Sequence, residues 1–315
     1  MSGREAGIRR AENRESRISP SRCDHQLITV RGEDITVAGR SSPSFRKRRL
    51  GRRLRQLRES AGLTLEEAAP RLDKARSSLH RIENGETRAD VHLVRSMMDL
   101  YDQYDPGLLD LARDAAKKGW WRQYGLKDFG YVDVETEASR TREFQLINIP
   151  GLLQTESYMR PHFMSSYRPP PRDELDNAVA ARLYRQQRLT SEAQPMHLHA
   201  IVDEAVLRRQ VGGVKVMREQ LEYLIMASEL PTVLLQVIPL GAGSHAAMNG
   251  AFDILSFPDP GEPDLFYVEY PTGSMHIEKA DQVQEGILLF EHLGATALSP
   301  TESVELVCQV LSEST

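Results

Sequence analysis

The sequence predicts two domains of different class. An all-α helix-turn-helix domain of five helices comes first, followed by an α+β domain on a mixed or antiparallel sheet. Three observations point there. Leu50, Leu54, Leu57 and Ala61 recur at helical spacing ahead of two short, well-punctuated helices. Charge is unevenly spread: residues 46 to 88 hold 13 Lys/Arg against 6 Asp/Glu, a net +7, although the whole chain carries −5. Beyond Gly119, short strand-like runs mix irregularly with helical ones, and no segment repeats. A chain of 315 residues has length for about two domains and a sizeable core.

Taken in order, residues 1 to 44 are rich in Arg, Ser and Gly with few large apolar side chains, which predicts a disordered extension. A short alternation at residues 26 to 30 and 35 to 37, around Gly32, is too weak to predict a hairpin. The first helix carries the Leu50 to Ala61 stripe and is closed by Gly62, since glycine accepts the positive φ of a helix end. Thr64 is the N-cap of a second helix, with Glu67 completing a capping box. Asp73-Lys74-Ala75 turns into a third helix from Arg76 to about Asn84, ended by Gly85. Two helices of about eight residues across a three-residue turn, behind a longer one, read as a helix-turn-helix. Asp90 caps a fourth helix with Val91, Val94, Met98 and Tyr101 on one face, and Pro106 opens a fifth that runs to about Lys117. This first domain spans 45 to 118. Gly119 breaks it, and Trp120-Trp121 opens the second, 119 to 315.

In the second domain, residues 133 to 144 read as a helix, and 147 to 160 as a turn opening another. A proline run at 169 to 171 marks a loop before a strongly helical 173 to 190. Strands are expected at 196 to 202, 232 to 238, 252 to 257 and 265 to 270, the last turning at 271 to 274 into a hairpin partner at 275 to 278. A helix is expected at 214 to 229, and two more finish the chain, the last behind the capping box Ser299-Pro300-Thr301-Glu302.

Two stretches carry family resemblances. "GLTLEEAAPRL" and "RSSLHRIENG" resemble the phage repressor and Cro type of helix-turn-helix, the xenobiotic-response-element family, over about residues 48 to 101. The resemblance implies that the third helix enters the major groove of double-stranded DNA, N-terminal residues first. By position, Arg76, Ser77 and Arg81 would face base edges, where Arg bonds guanine bidentately and Ser serves either base type. Lys74, His80 and Arg88 are expected among the DNA contacts, Leu79 and Ile82 in the core, and Arg58 with Glu83 in a partly buried ion pair. The chain departs from the family at Leu65, where a glutamine often reaches a phosphate, and at Pro70, which removes one N–H bond late in the second helix. A homodimer reading two half-sites is the implied assembly.

"IPGLLQTESYM", "DEAVLRR", "MREQLEYL" and "VIPLGAGSHAAMNGAFDILSFPDP" resemble the antitoxin-like C-terminal domain of a large set of actinomycete regulators, over about 120 to 310. That implies a region receiving a small protein encoded nearby or a small-molecule effector. Trp120, Trp121, Gly151, Gln154 and Tyr158 are candidates for its surface, with packing in the core as the equal alternative.

Other chemistry is poorly supported. No apolar run of 18 residues and no secretory signal is present, so no membrane role is expected. Cys23 and Cys308 lie at opposite ends without metal or redox spacing, which suits a reduced cytoplasm. His197 and His199 share a strand face ahead of Asp203 and Glu204, but any i, i+2 pair does so and no third ligand has a fixed spacing. No H-E-x-x-H occurs; Ala242-Gly243 resembles the self-cleavage bond of some phage repressors but lacks a Ser/Lys pair. The glycine-rich stretch 241 to 250 matches neither a Walker nor a dinucleotide fingerprint. No metal, cofactor or catalytic constellation is therefore expected. The function expected is a sequence-specific transcriptional regulator of the cytoplasm, associated with the nucleoid. Two other classes stand behind it: an antitoxin-like protein that mainly sequesters a small partner, and an enzyme carrying a DNA-targeting module.

Overall fold

The computed structural model describes residues 36–37, 44–126 and 130–314. The expected disordered extension and the alternation around Gly32 lie outside the described residues, apart from a two-residue strand and Ser44. The described residues all lie in one compact unit.

The strand is β1, Thr36–Val37, and five helices follow: α1 Phe45–Ser60, α2 Leu65–Arg71, α3 Arg76–Glu83, α4 Val91–Tyr101 and α5 Pro106–Asp114. Their ends follow local chemistry. Thr64 and Glu67 form the reciprocal capping box of α2, and the Asp90 carboxylate accepts from Leu93 N at 2.9 Å to cap α4. Asp105 does the same for α5, where Pro106 occupies a first-turn position that needs no N–H. Pro70 is accommodated because α2 is only seven residues long and ends one residue later. Leu50, Leu54, Leu79, Ile82, Val94, Met97 and Leu108 meet in one core, each burial stabilising by roughly 1.5–3 kcal/mol.

The α+β region contains α6 Gly130–Glu137, β2 Arg140–Gln145, α7 Glu156–Met164, α8 Arg172–Gln186, β3 His197–Asp203, α9 Glu204–Arg208 and α10 Val214–Ala227. It continues through β4 Val233–Ile238, β5 Phe252–Ser256, β6 Leu265–Tyr270, β7 Gly273–Ile277, α11 Ala280–Thr296 and α12 Pro300–Glu313. The sheet runs β1-β7-β6-β5-β2-β3-β4. β2, β3 and β4 are mutually parallel, while β5, β6, β7 and β1 join antiparallel, so the sheet is mixed. One face packs Leu198, Ala200, Leu235 and Leu255 against α10 and α12. The other packs Phe144, Ile201 and Ile254 against Phe290 and Leu293 of α11.

One expectation needs correction. Residues 133 to 144 do not form a single helix: α6 stops at Glu137, and Ser139 N donates to Ser256 O, leading the chain into β2 at the middle of the sheet. The strand was hidden because Thr141 and Glu143 are polar yet buried, so β2 lacks the apolar alternation that marks a half-buried strand.

Candidate nucleic-acid interface

α3 is fixed from behind and open in front. Leu79 and Ile82 are buried in the helical core, while Lys74, Arg76, Ser77, His80, Arg81 and Arg88 are all exposed. The turn before α3 puts Asp73 at a φ of 53°, and Lys74 N donates to Ala69 O at 2.9 Å. At its far end α3 lies against α1 backbone to backbone. A Cβ on Gly51 would stand 2.3 Å from Glu83 O, and Gly85 combines a φ of 72° with a backbone approach that would leave a Cβ 2.7 Å from Arg48 N. Only glycine permits both contacts.

Arg58 and Glu83 lock this junction. Arg58 Nε and Nη2 donate to the two Glu83 carboxylate oxygens at 2.7 and 2.9 Å, and Nη1 donates to Leu63 O at 2.7 Å. One guanidinium thus ties the end of α1, the α1–α2 turn and the end of α3. Tyr101 borders the pair, and burial followed by the Glu83 charge pushes its hydroxyl up to about 12.

The exposed arginines of α3 have only light local partners. Arg76 pairs with Glu66, and Arg81 Nε meets Glu86 at 3.3 Å. Such surface pairs stabilise by roughly 0–1 kcal/mol, so a phosphate or base edge can displace them.

The arginines of α1 behave differently. Arg46 meets Glu137 at 2.6 Å, and Arg48 meets Glu278 at 3.3 Å. Arg49 reaches Asp259 at 2.7 Å and Glu262 at 3.2 Å; Arg52 reaches Glu262 and Glu278, each at 2.9 Å. Arg53 bridges Asp105 at 2.7 Å and Asp259 at 3.1 Å. Arg46, Arg48 and Arg49, part of the net +7 of residues 46 to 88, are thus turned toward carboxylates of the α+β region. Phe45 anchors the same helix: its ring stacks on Phe257 at 4.5 Å, and its N–H donates to the buried carboxylate of Asp133. Burial raises that carboxylate to about 6, although it faces the positive end of a helix.

The candidate partner residues divide. Trp121 is buried against Gly119, and Tyr158 is fully buried with its hydroxyl accepting from Ile149 N at 3.2 Å. Gln154 is buried too, donating to Ile149 O at 2.7 Å and accepting from Arg182 Nη1. These three are core groups rather than a binding surface. Gly151 is half-buried in a 3-10 turn beside Arg182 and Arg185. Trp120 is half-buried on Tyr184 and Tyr124, with Nε1 donating to Thr136 Oγ1 at 3.0 Å.

The histidine–carboxylate stretch has ordinary work. His199 shares a hydrogen bond with Gln236 at 2.8 Å, Asp203 caps α9, and Glu204 accepts from Leu240 N at 2.8 Å, holding the loop after β4. Among the described residues no group of His, Cys, Asp and Glu is arranged to hold a metal ion, and no helix is long and apolar enough to cross a membrane.

A tyrosine-lined cleft beside β6, and the buried carboxyl groups of Glu143 and Asp253 next to it, are not anticipated from the sequence. The signal was present: Asp253 interrupts the apolar run Phe252 to Phe257 at an inward position.

Comparison with known proteins adds two matches. Residues 49–112 match a helix-turn-helix domain family, and residues 130–309 match a domain of unknown function, DUF5753. No curated protein and no solved structure matches the chain.

Proposed function

The chain belongs to the family of the domain of unknown function DUF5753, with a helix-turn-helix domain ahead of it, and from that premise we propose a sequence-specific DNA-binding transcriptional regulator. One observation carries the reading. Arg76, Ser77 and Arg81 stand exposed on α3, while Leu79, Ile82 and the Arg58–Glu83 pair hold the same helix from behind. A reading helix needs that division, because base edges are discriminated only by side chains held in register. The protein works as a homodimer of the xenobiotic-response-element type, in the cytoplasm at the nucleoid. It needs no cofactor and catalyses no reaction. Its antitoxin-like α+β region receives a small protein partner or an effector.

Selection from randomised duplex DNA with the full chain tests the reading. The expected product is a two-fold symmetric sequence with half-sites about one turn, roughly 34 Å, apart. A pool that never departs from random overturns sequence-specific reading, and an enriched single half-site overturns the dimer.

A further inference from the structure

A cleft of about 630 Å³ opens between α8, the N-terminal end of α6 and the β6–β7 hairpin. Its volume falls within the roughly 300–1,000 Å³ of small-molecule sites. The described residues lining it include four tyrosines, Tyr124, Tyr131, Tyr267 and Tyr270, and two carboxylates, Glu174 and Glu269; neither lysine nor arginine is among them. Tyr131 and Tyr267 pack at 4.9 Å between ring centroids, inclined by 56°.

The sheet beside the cleft holds two carboxyl groups that burial pushes toward the neutral form, Asp253 most of all. Glu143 stands opposite Asp253 across β2 and β5, and Asp253 stands opposite Tyr267 across β5 and β6. Both carboxylates are buried, and Asp253 Oδ1 has no hydrogen-bond partner. The nearby guanidiniums are already engaged: Arg185 pairs with Glu135 at 2.8 Å and lies over the Tyr131 ring at 5.4 Å from its centre, and Arg182 donates to Gln154. The tyrosine faces and the exposed carboxylates of Glu174 and Glu269 attract positive charge. An anion is repelled by the same groups. A neutral molecule gains only area.

We propose that this cleft binds a small organic cation, its ammonium group held against the rings of Tyr267 and Tyr270 and the carboxylates of Glu174 and Glu269. This rests on the reading that the α+β region receives an effector and names its chemical class. The location suits that role, because α6 carries Tyr131 to the cleft and Asp133 and Glu137 to the N-terminal end of α1.

Calorimetric titration of the full chain, without DNA, uses choline and butylamine as probes against their neutral counterparts dimethylbutanol and butanol. At least one ammonium compound is expected to bind saturably, about tenfold or more tighter than its neutral counterpart. The double variant Glu174→Gln, Glu269→Gln alters exposed side chains and should melt like the parent while binding the probe about tenfold more weakly. Tyr270→Phe should retain binding, and Tyr270→Leu should lose it, because the ring face rather than the hydroxyl is used. Equal affinity for the neutral compound, parent-like binding by the double variant, or no saturable binding of either ammonium probe overturns the proposal. Titration without DNA keeps the two readings apart. A chain that selects a DNA sequence but ignores ammonium compounds sinks only the cleft; one that binds choline but selects no DNA sinks only the regulator.

Discussion

α1 and α3 are both arginine-bearing helices of one helical region, yet they hold their charge for different purposes. On α3, Arg76 and Arg81 keep about three fifths of their side-chain surface in solvent (62% and 61%). On α1, Arg46, Arg48, Arg49, Arg52 and Arg53 are directed onto carboxylates at 105, 137, 259, 262 and 278. Formal charge along a sequence is therefore not charge available to a polyanion. The net +7 of residues 46 to 88 overstates the electrostatic footprint of the head, because five of its arginines are neutralised within the protein. The same pairing gives α1 a mechanical role, since Phe45 sits in the core of the α+β region and Arg58 in the joint of the reading head.

The strongest way to break the contrast is through Arg58, the α1 arginine that serves α3. Arg58→Ala leaves Glu83 buried without its partner and should cost roughly 3–5 kcal/mol in denaturant unfolding of the full chain. An unchanged midpoint would mean that the junction does not depend on the pair. A smaller loss is expected at the acidic face. Glu262 is 6% exposed, accepts from Arg52 and is ion-paired with Arg49, so Glu262→Gln should cost roughly 1.5–3 kcal/mol by the same measurement. A neutral result there would reduce the α1 pairs to surface decoration.

What the sequence made legible follows the range of the interactions. The helix-turn-helix was readable because its signals are local: the Leu50 to Ala61 stripe, the Thr64–Glu67 box and the glycines at 62 and 85 act within a turn or two. The partners of the α1 arginines were not readable, because Asp259 and Glu262 lie about two hundred residues away and no local rule couples them. β2 carries no strand signal in the sequence for a related reason. Its buried Thr141 and Glu143 face a polar strip assembled with Asp253 of β5, and that strip exists only in the folded sheet. The described lining of the tyrosine cleft likewise comes from stretches as far apart in the chain as Tyr124 and Ser274.

At the reading helix, Arg76→Ala or Arg81→Ala should each cost roughly 1–3 kcal/mol on the selected DNA and relax base preference at the contacted position. Equal binding of selected and scrambled duplexes by parent and variants would remove both arginines from the reading surface. A weaker, pH-dependent effect belongs to Asp133 at the start of α1. Burial raises its carboxyl from 3.8 to about 6, so the folded chain holds a proton that the unfolded chain has released. Its stabilising contribution is complete below the unfolded value of 3.8 and is lost as pH rises through about 6. Asp133→Asn should flatten the fall in melting temperature across that interval, and a fall as steep as the parent's would place the titration elsewhere. Asp259 works in the opposite sense, since the Gly261 N–H and then Arg49 hold its carboxyl below the usual range.

The smallest expected effect is the sharpest test of the comparison. Each phosphate contacted contributes about −0.9 to the slope of log affinity against log salt. If Arg49 and Arg53 stay on Asp259, Glu262 and Asp105 while DNA is bound, they touch no phosphate. The double variant Arg49→Ala, Arg53→Ala should then keep the parent slope. Its absolute affinity can still fall slightly, because the uncovered carboxylates repel DNA at long range, and that term fades within a Debye length of about 8 Å at physiological salt. The slope, rather than the affinity, is therefore the quantity to compare. Arg88→Ala supplies the contrast: Arg88 is exposed in the head, so if it meets a phosphate its loss should lower the magnitude of the slope by about 0.9. Equal losses of slope in the two variants would show the α1 arginines leaving their carboxylates for DNA, and the division between structural and reading arginines would not survive the complex.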